Sequence, residues 1–415
     1  MRAALQAGDE DAEVPATVDP FFEFMPDAQW NACVGKQGSE QNYVDGYLEA
    51  AQELVAAVID KRLYASRDTL AMPILYNVRH AIELSLKFVI NRLCDLGAIA
   101  SRHRADHDIM SHWTHLRDAH VGDERIRQLV VELEPFVSSL ARIDDDGQEL
   151  RYAEDRDGKR SLDNIAVVNL RLIRRSLAEV GKVLTALKYR VLDFGDERGT
   201  GTYTPKCSRA DLKAIASLVG DRTSWSDPSF DERKAQVRER FGLGSRKFSD
   251  ALNAIQHSRE LAALIGVETD LLHISDEKAV FTLERWAEVN PPYDPVEADA
   301  GVDLFERDWE EIRGNRRMAR SLADVIIANL SVEETSDLEA LFYLGRGPEF
   351  GEHYEAMVAE ALQKNRLEKD RWGDVHHLMS KTNLLDEVVR GCTLAGRPSL
   401  ARRLRAIRPE PAGTA

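Results

Sequence analysis

One stripe of residues constrains this chain more than any other feature. Ala166, Leu170, Ile173, Leu177, Val180, Leu184, Leu187 and Val191 recur at strictly alternating steps of 4 and 3. That spacing lays a single apolar seam along roughly three to four heptads of helix. A chain carrying such a seam has to bury it against other helices, inside a bundle or across a dimer interface. Val44, Leu48, Ala51, Val55 and Val58 repeat the pattern and predict a helix over about 43–63. Leu75, Val78, Ile82, Leu86, Val89, Leu93 and Leu96 do so again after Pro73, which suits a first helical turn, and Gly97 supplies the stop. Shorter helices at about 108–118 and 122–143 complete an antiparallel bundle. One stretch breaks the helical rule: Gly147 to Ala153, then Asp157-Gly158 and Lys159, which reads as a small inserted β-hairpin.

Beyond the seam, Asp193 to Thr202 holds three glycines without apolar period and is expected to be a linker. Ser208 to Asp211 opens a helix with a capping-box-like start. Further helices are expected near 229–240, 246–264, 303–329, 332–345, 351–369 and 384–391, with a break from Trp286 to Asp294 around Asn290-Pro291-Pro292. The expected fold is therefore mostly α: an antiparallel bundle with an inserted hairpin, followed by further small helical domains. The boundaries read as an N-terminal extension over 1–40, the bundle over 41–195, a middle helical domain over 196–290, a C-terminal helical domain over 300–408 and a frayed tail over 409–415. No fixed-period repeat points to a solenoid.

Composition excludes several function classes. Of the 415 residues, 43% are hydrophobic and 30% charged, which suits a folded chain rather than a disordered one. The formal charge of −16 means that any contact with nucleic acid must use a local basic patch. No apolar run approaches the length of a membrane span and no secretory signal is visible, so a cytoplasmic protein without membrane contact is expected. Cys33, Cys94, Cys207 and Cys392 lie far apart with no C-x-x-C, which predicts neither a zinc knuckle nor a disulfide framework. No phosphate loop, nucleophile elbow or dinucleotide fingerprint occurs, and no cofactor is expected.

Asn77 to Lys87, containing Arg79, His80 and Glu83, followed by His107 to Trp113, resembles a HEPN-like helical domain of prokaryotes. Asp144, Gly147, Arg151, Tyr152, Asp155 and Gly158 strengthen the likeness, which covers about 40–195. Many HEPN-like proteins are metal-independent RNases of toxin, abortive-infection or antiviral systems, and many others are inactive binding or dimerising modules. The resemblance implies a homodimer through the 166–191 helix and an action on RNA. The active members carry an Arg, then four to six residues, then a His. Here Arg79 is followed at once by His80, and the spaced positions hold Leu84, Ser85 and Leu86. The C-terminal region, around Asp337 to Gly347 and Leu384 to Gly391, resembles a small bacterial helical family that implies no chemistry.

Candidate site residues fall in four groups. Arg79, His80, Glu83 and His107 are the candidate catalytic set, with a His for proton transfer and an Arg for charge developing on phosphate. On spacing alone, Arg79, Glu83 and Lys87 also form an intrahelical charge ladder on the face away from the apolar stripe. Arg151 and Tyr152 are candidates to clamp a phosphate and stack a base, or else to lock the hairpin against Asp144, Asp146, Asp155 and Asp157. Arg233, Lys234, Arg238, Arg240, Arg246 and Lys247 form a basic island interleaved with Phe241 and Phe248, a candidate nucleic-acid surface or a solvated face. His103, His107, His112, His115 and His120 crowd one stretch with Asp106 and Asp108, but no H-E-x-x-H occurs and no metal site is expected. Two functions follow: a conflict-system effector or accessory protein that acts on RNA, or a non-enzymatic regulatory module binding nucleic acid or protein through the middle basic helices.

Overall fold

The computed structural model describes residues 21, 28–154, 158–163, 165–290, 309–367 and 370–408, with backbone alone at 309–313, 315–316 and 319. Most of the N-terminal extension, Asp155 and Asp157, the Pro291-Pro292 break, the start of the helix expected at 303 and the 409–415 tail lie outside them. The described residues are mostly helical, with sixteen α-helices and no strand. Five of them make the first bundle: α1 (Glu40–Asp60), α2 (Arg67–Asp95), α3 (Ile109–Asp118), α4 (Glu124–Ala141) and α5 (Leu170–Gly199).

Helix α2 is the axis of this bundle, touching α1, α3, α4 and α5. Its buried residues therefore run round the helix rather than along one stripe: Ile74, Val78, Arg79, Ala81, Ile82, Glu83 and Leu86 among them. Pro73 lies inside α2, not in its first turn. It removes one hydrogen bond to the Thr69 carbonyl, and both residues are exposed to solvent. Gly97, at φ +64, follows the end of α2 and takes the left-handed turn expected of it.

The seam on α5 is buried within the chain from Leu177 onward. Leu177, Val180, Leu184, Leu187 and Val191 are buried in the first core against α1, α2 and α4, whereas Ala166 precedes the helix and is exposed and Leu170 and Ile173 are half-buried. Asn169 starts α5 by accepting hydrogen bonds from the N–H groups of Arg171 (2.9 Å) and Leu172 (3.2 Å). The helix continues to Gly199 through the expected linker, because Phe194 and Glu197 still have buried places to fill.

A second hydrophobic cluster is built by α6 (Arg209–Val219), α7 (Ser229–Phe241), α8 (Ser245–His257) and α9 (Arg259–Leu264). The capping box of α6 forms between Ser208 and Asp211. The single helix expected over 246–264 is broken at Ser258, whose hydroxyl caps α9. The third cluster takes α10 (Asp276–Val289), α11 (Trp309–Asn329), α12 (Val332–Arg346), α13 (Tyr354–Leu367), α14 (Arg371–Met379), α15 (Leu384–Leu394) and α16 (Pro398–Arg405). Trp286, expected to open a break, is fully buried there and donates its indole N–H to the Met379 carbonyl (3.0 Å). The change of core therefore falls near 270, and α10 packs with the C-terminal helices rather than the middle ones.

Helices α12 and α15 meet through glycine. A Cβ on Gly391 would overlap the Leu341 carbonyl, and one on Gly345 would overlap the Glu387 carbonyl. Since backbone cannot yield as a side chain tip does, Gly391→Ala is expected to push the pair apart at a cost of about 1–3 kcal/mol or more. A lower urea midpoint for the variant is the expected measurement, and an unchanged midpoint would contradict this packing.

Candidate functional site

The buried Arg79 organises the site. It projects from α2 and is 1% exposed, with all three guanidinium nitrogens engaged. Its Nε donates to the Asp144 carbonyl (2.8 Å) and one terminal nitrogen to Glu83 Oε2 (3.1 Å). The other terminal nitrogen donates to the carbonyls of His107 (2.6 Å) and Asp145 (3.0 Å). The Asp144 carboxylate lies 3.4 Å from Nε and also accepts the Glu149 N–H (3.2 Å), closing the turn that leads to Arg151. Gly147, at φ +82, lies against the guanidinium, where a Cβ would come within 3.1 Å of a terminal nitrogen. Arg79 thus ties α2 to two loops, and none of its nitrogens is free for a ligand. The face of α2 that spacing placed in solvent is covered by residues 107 and 144–147.

Glu83, 2% exposed, is the hub beside it. Its Oε1 accepts from Lys87 Nζ (2.6 Å) and pairs with His107 Nδ1 (2.9 Å), and His80 Nδ1 stands 3.8 Å from Oε2. Burial opposes its ionisation, but the contacts with His80, Lys87 and His107 and the Lys87 charge outweigh burial and hold the carboxyl well below the usual carboxylate range. The His107 side chain remains 61% exposed, so one imidazole edge faces solvent while the other is held by a buried carboxylate. The candidate catalytic residues are therefore neighbours, but Arg79 is a strut and not a cation presented to phosphate.

A row of rings and a guanidinium lies next to this hub. Tyr47 of α1 meets the His80 ring edge-on (4.4 Å between centroids), and Tyr76 stacks on it (5.5 Å, planes 10° apart). Arg151 lies over both Tyr76 (5.9 Å) and Tyr152 (5.0 Å) and donates to the Tyr152 hydroxyl (3.0 Å). Arg151 and Tyr152 are exposed. They sit in a turn closed by their own N–H groups on the Gln148 carbonyl (3.0 Å each), not on a strand. Pairing in the expected hairpin is limited, among the described residues, to a Glu154–Arg160 bridge and a hydrogen bond from Ser161 to Ala153. Tyr76, four residues before His80, could have been found by helical spacing; Tyr47, on another helix, carries no such signal.

The basic island is mostly committed to the protein itself. Arg233 donates to the Ser224 hydroxyl (2.9 Å), Arg238 to the Leu243 carbonyl (3.1 Å), Arg240 to Glu124 (2.9 Å) and Lys247 to Asp250 (3.2 Å). Arg240 thereby pins the middle helices to the first bundle. The structure does not bring the island to the Arg151 row as one surface; its cations lie on α7 and α8. In the histidine-rich stretch, His103, Asp106 and His112 bring ligand-type atoms within 4.8 Å of one another, a grouping that spacing alone did not predict. His112 is buried, and that burial, ahead of other causes, depresses its imidazole pKa.

Comparisons with protein-family models, with curated proteins and with solved structures give no match. Among the described residues, no helix is long and apolar enough to cross a membrane.

Proposed function

We propose that the first bundle is a HEPN-like module that binds single-stranded RNA as an accessory component of a bacterial conflict system, without cleaving it. The single observation that carries this reading is the row of Tyr47, His80, Tyr76, Arg151 and Tyr152 beside the Glu83 hub. Aromatic faces stack bases regardless of sequence, and an exposed guanidinium between them serves a phosphate or a base plane. Single strands suit such a row because their bases are free to splay. The engaged donors of Arg79 argue against phosphate cleavage at that residue, since charge developing on phosphate would find no guanidinium there. With four of its six cations bonded within the protein, the basic island is the weaker candidate for the contact.

The test is fluorescence anisotropy of a labelled single-stranded RNA with wild type, Arg151→Ala and Tyr152→Ala. Losing a stacked base corresponds to about 1–3 kcal/mol, so each variant is expected to bind roughly 5- to 150-fold more weakly. Arg151→Ala is also expected to flatten the salt dependence by about one phosphate contact. Melting temperatures should stay near wild type, because both side chains are exposed and lie in a surface turn. Equal affinities for all three proteins would reject the proposal. Cleavage of the RNA that disappears in His107→Ala would replace binding with catalysis by the Glu83–His107 pair.

A further inference from the structure

The stretch from His103 to His112 contains an arrangement that RNA binding does not use. His112 Nε2 lies 3.2 Å and His103 Nδ1 3.9 Å from one oxygen of Asp106, and the three ligand-type atoms fall within 4.8 Å of one another. Four-coordinate zinc with bonds of about 2.0–2.2 Å separates adjacent ligand atoms by about 3.3 Å, so these atoms need to move little to share one ion. The geometry points to a site for a divalent first-row transition cation, zinc foremost, held by His103, Asp106 and His112.

Three further features fit. The Nδ1 of His112, 1% exposed, is buried and has no hydrogen-bond partner. Nε2 of His112 also faces the Asp106 carbonyl (3.2 Å) and Nδ1 of His103 the Arg104 carbonyl (3.0 Å), so an ion would replace these two contacts and release the proton each nitrogen carries. The outer partners that orient metal ligands are in place. His103 sets its other nitrogen on the Ser111 hydroxyl (2.8 Å), and Arg104 pairs with the second oxygen of Asp106. A cavity of 170 Å³ opens between His103, Arg104, His112, Lys87 and Asn91, large enough for an ion and several waters at about 30 Å³ each. The cations bordering it are each paired with a carboxylate, Lys87 with Glu83 and Arg104 with the second oxygen of Asp106. Two imidazoles and one carboxylate leave a coordination position for water, as in zinc sites with three protein ligands.

Isothermal titration of chelator-stripped full-length protein with ZnCl2 tests the site, with Co2+ absorption as an independent probe of coordination. The expected result is one equivalent bound per chain and a cobalt spectrum of tetrahedral type. His103→Ala and Asp106→Asn, both at partly exposed positions, should each weaken binding at least about tenfold. His115→Ala should bind as wild type, because His115 is not among the residues whose ligand-type atoms converge. His112→Ala is the stronger test where it folds, and the two partly exposed variants decide the question where it does not. Absence of saturable zinc binding in wild type, or wild-type affinity in both His103→Ala and Asp106→Asn, would overturn the proposal.

Discussion

Arg79→Ala is expected to be among the most destabilising single substitutions in the first bundle. The side chain is a buried cation with two buried carboxylates and three backbone carbonyls around it. Removing it leaves Glu83 and Asp144 buried without their common partner and strips donors from the carbonyls of His107, Asp144 and Asp145. Breaking a buried pair by deleting one member costs about 3–5 kcal/mol. For a unit of this size that corresponds to a melting temperature lower by roughly 6–20 °C. Arg79→Lys is expected to recover little, because one ammonium cannot reach the three directions that the planar guanidinium serves. Circular dichroism melts of both variants beside Arg151→Ala make the contrast: stability should fall in the Arg79 variants and hold in Arg151→Ala. A near-native melt for Arg79→Ala would mean that the residue is not a strut, and would return it to the candidate catalytic residues.

The contrast also shows where the sequence is legible. The α5 seam is readable because apolar spacing reports directly on burial, and Leu177 to Val191 are buried as spacing predicts. What spacing does not reveal is the partner, so the same seam suits a dimer as well as an intrachain bundle. Arg79 and Glu83 illustrate the opposite limit. At i and i+4 they look like a solvated ladder, yet the groups that cover Arg79 include Asp145, 66 residues away. Polar burial of this kind depends on tertiary contacts that leave no local period. The basic island is legible only in part, for a related reason. Its cations are legible as a run, but the Glu124 that neutralises Arg240 lies 116 residues upstream. Helix α10 escapes the spacing argument because Asn290 and two prolines draw the break forward over Trp286, whose burial is set by α14. The histidine crowding is visible, but only the fold of the 103–109 loop onto α3 brings His103 and Asp106 to His112.

Glu83→Gln is expected to destabilise the first bundle by about 3–5 kcal/mol at pH 7, with a difference from wild type that shrinks in acid. Glutamine keeps the size of the side chain and one acceptor, but removes the charge facing Arg79, His80, Lys87 and His107. Arg79 then retains Asp144 as its sole carboxylate partner. The sign of the pH effect follows from the direction of the shift. Glu83 is depressed in the folded protein from its ordinary value of 4.5, so its ionisation favours folding. That stability is complete above about pH 5.5, where the unfolded carboxyl is also ionised, and is lost as the pH falls below about 4.5 toward the folded value. The substituted glutamine does not titrate. Urea midpoints at pH 7, 5, 4 and 3 should therefore show a full gap at pH 7, a nearly full one at pH 5 and a narrowing one at the last two values. A gap that stays constant down to pH 3 would mean that folding does not shift the Glu83 carboxyl, and one that widens as the pH falls would mean that Glu83 is protonated in the native protein. The buried hub would then be a neutral hydrogen-bond network, and the charge that holds His107 toward solvent would have to come from elsewhere.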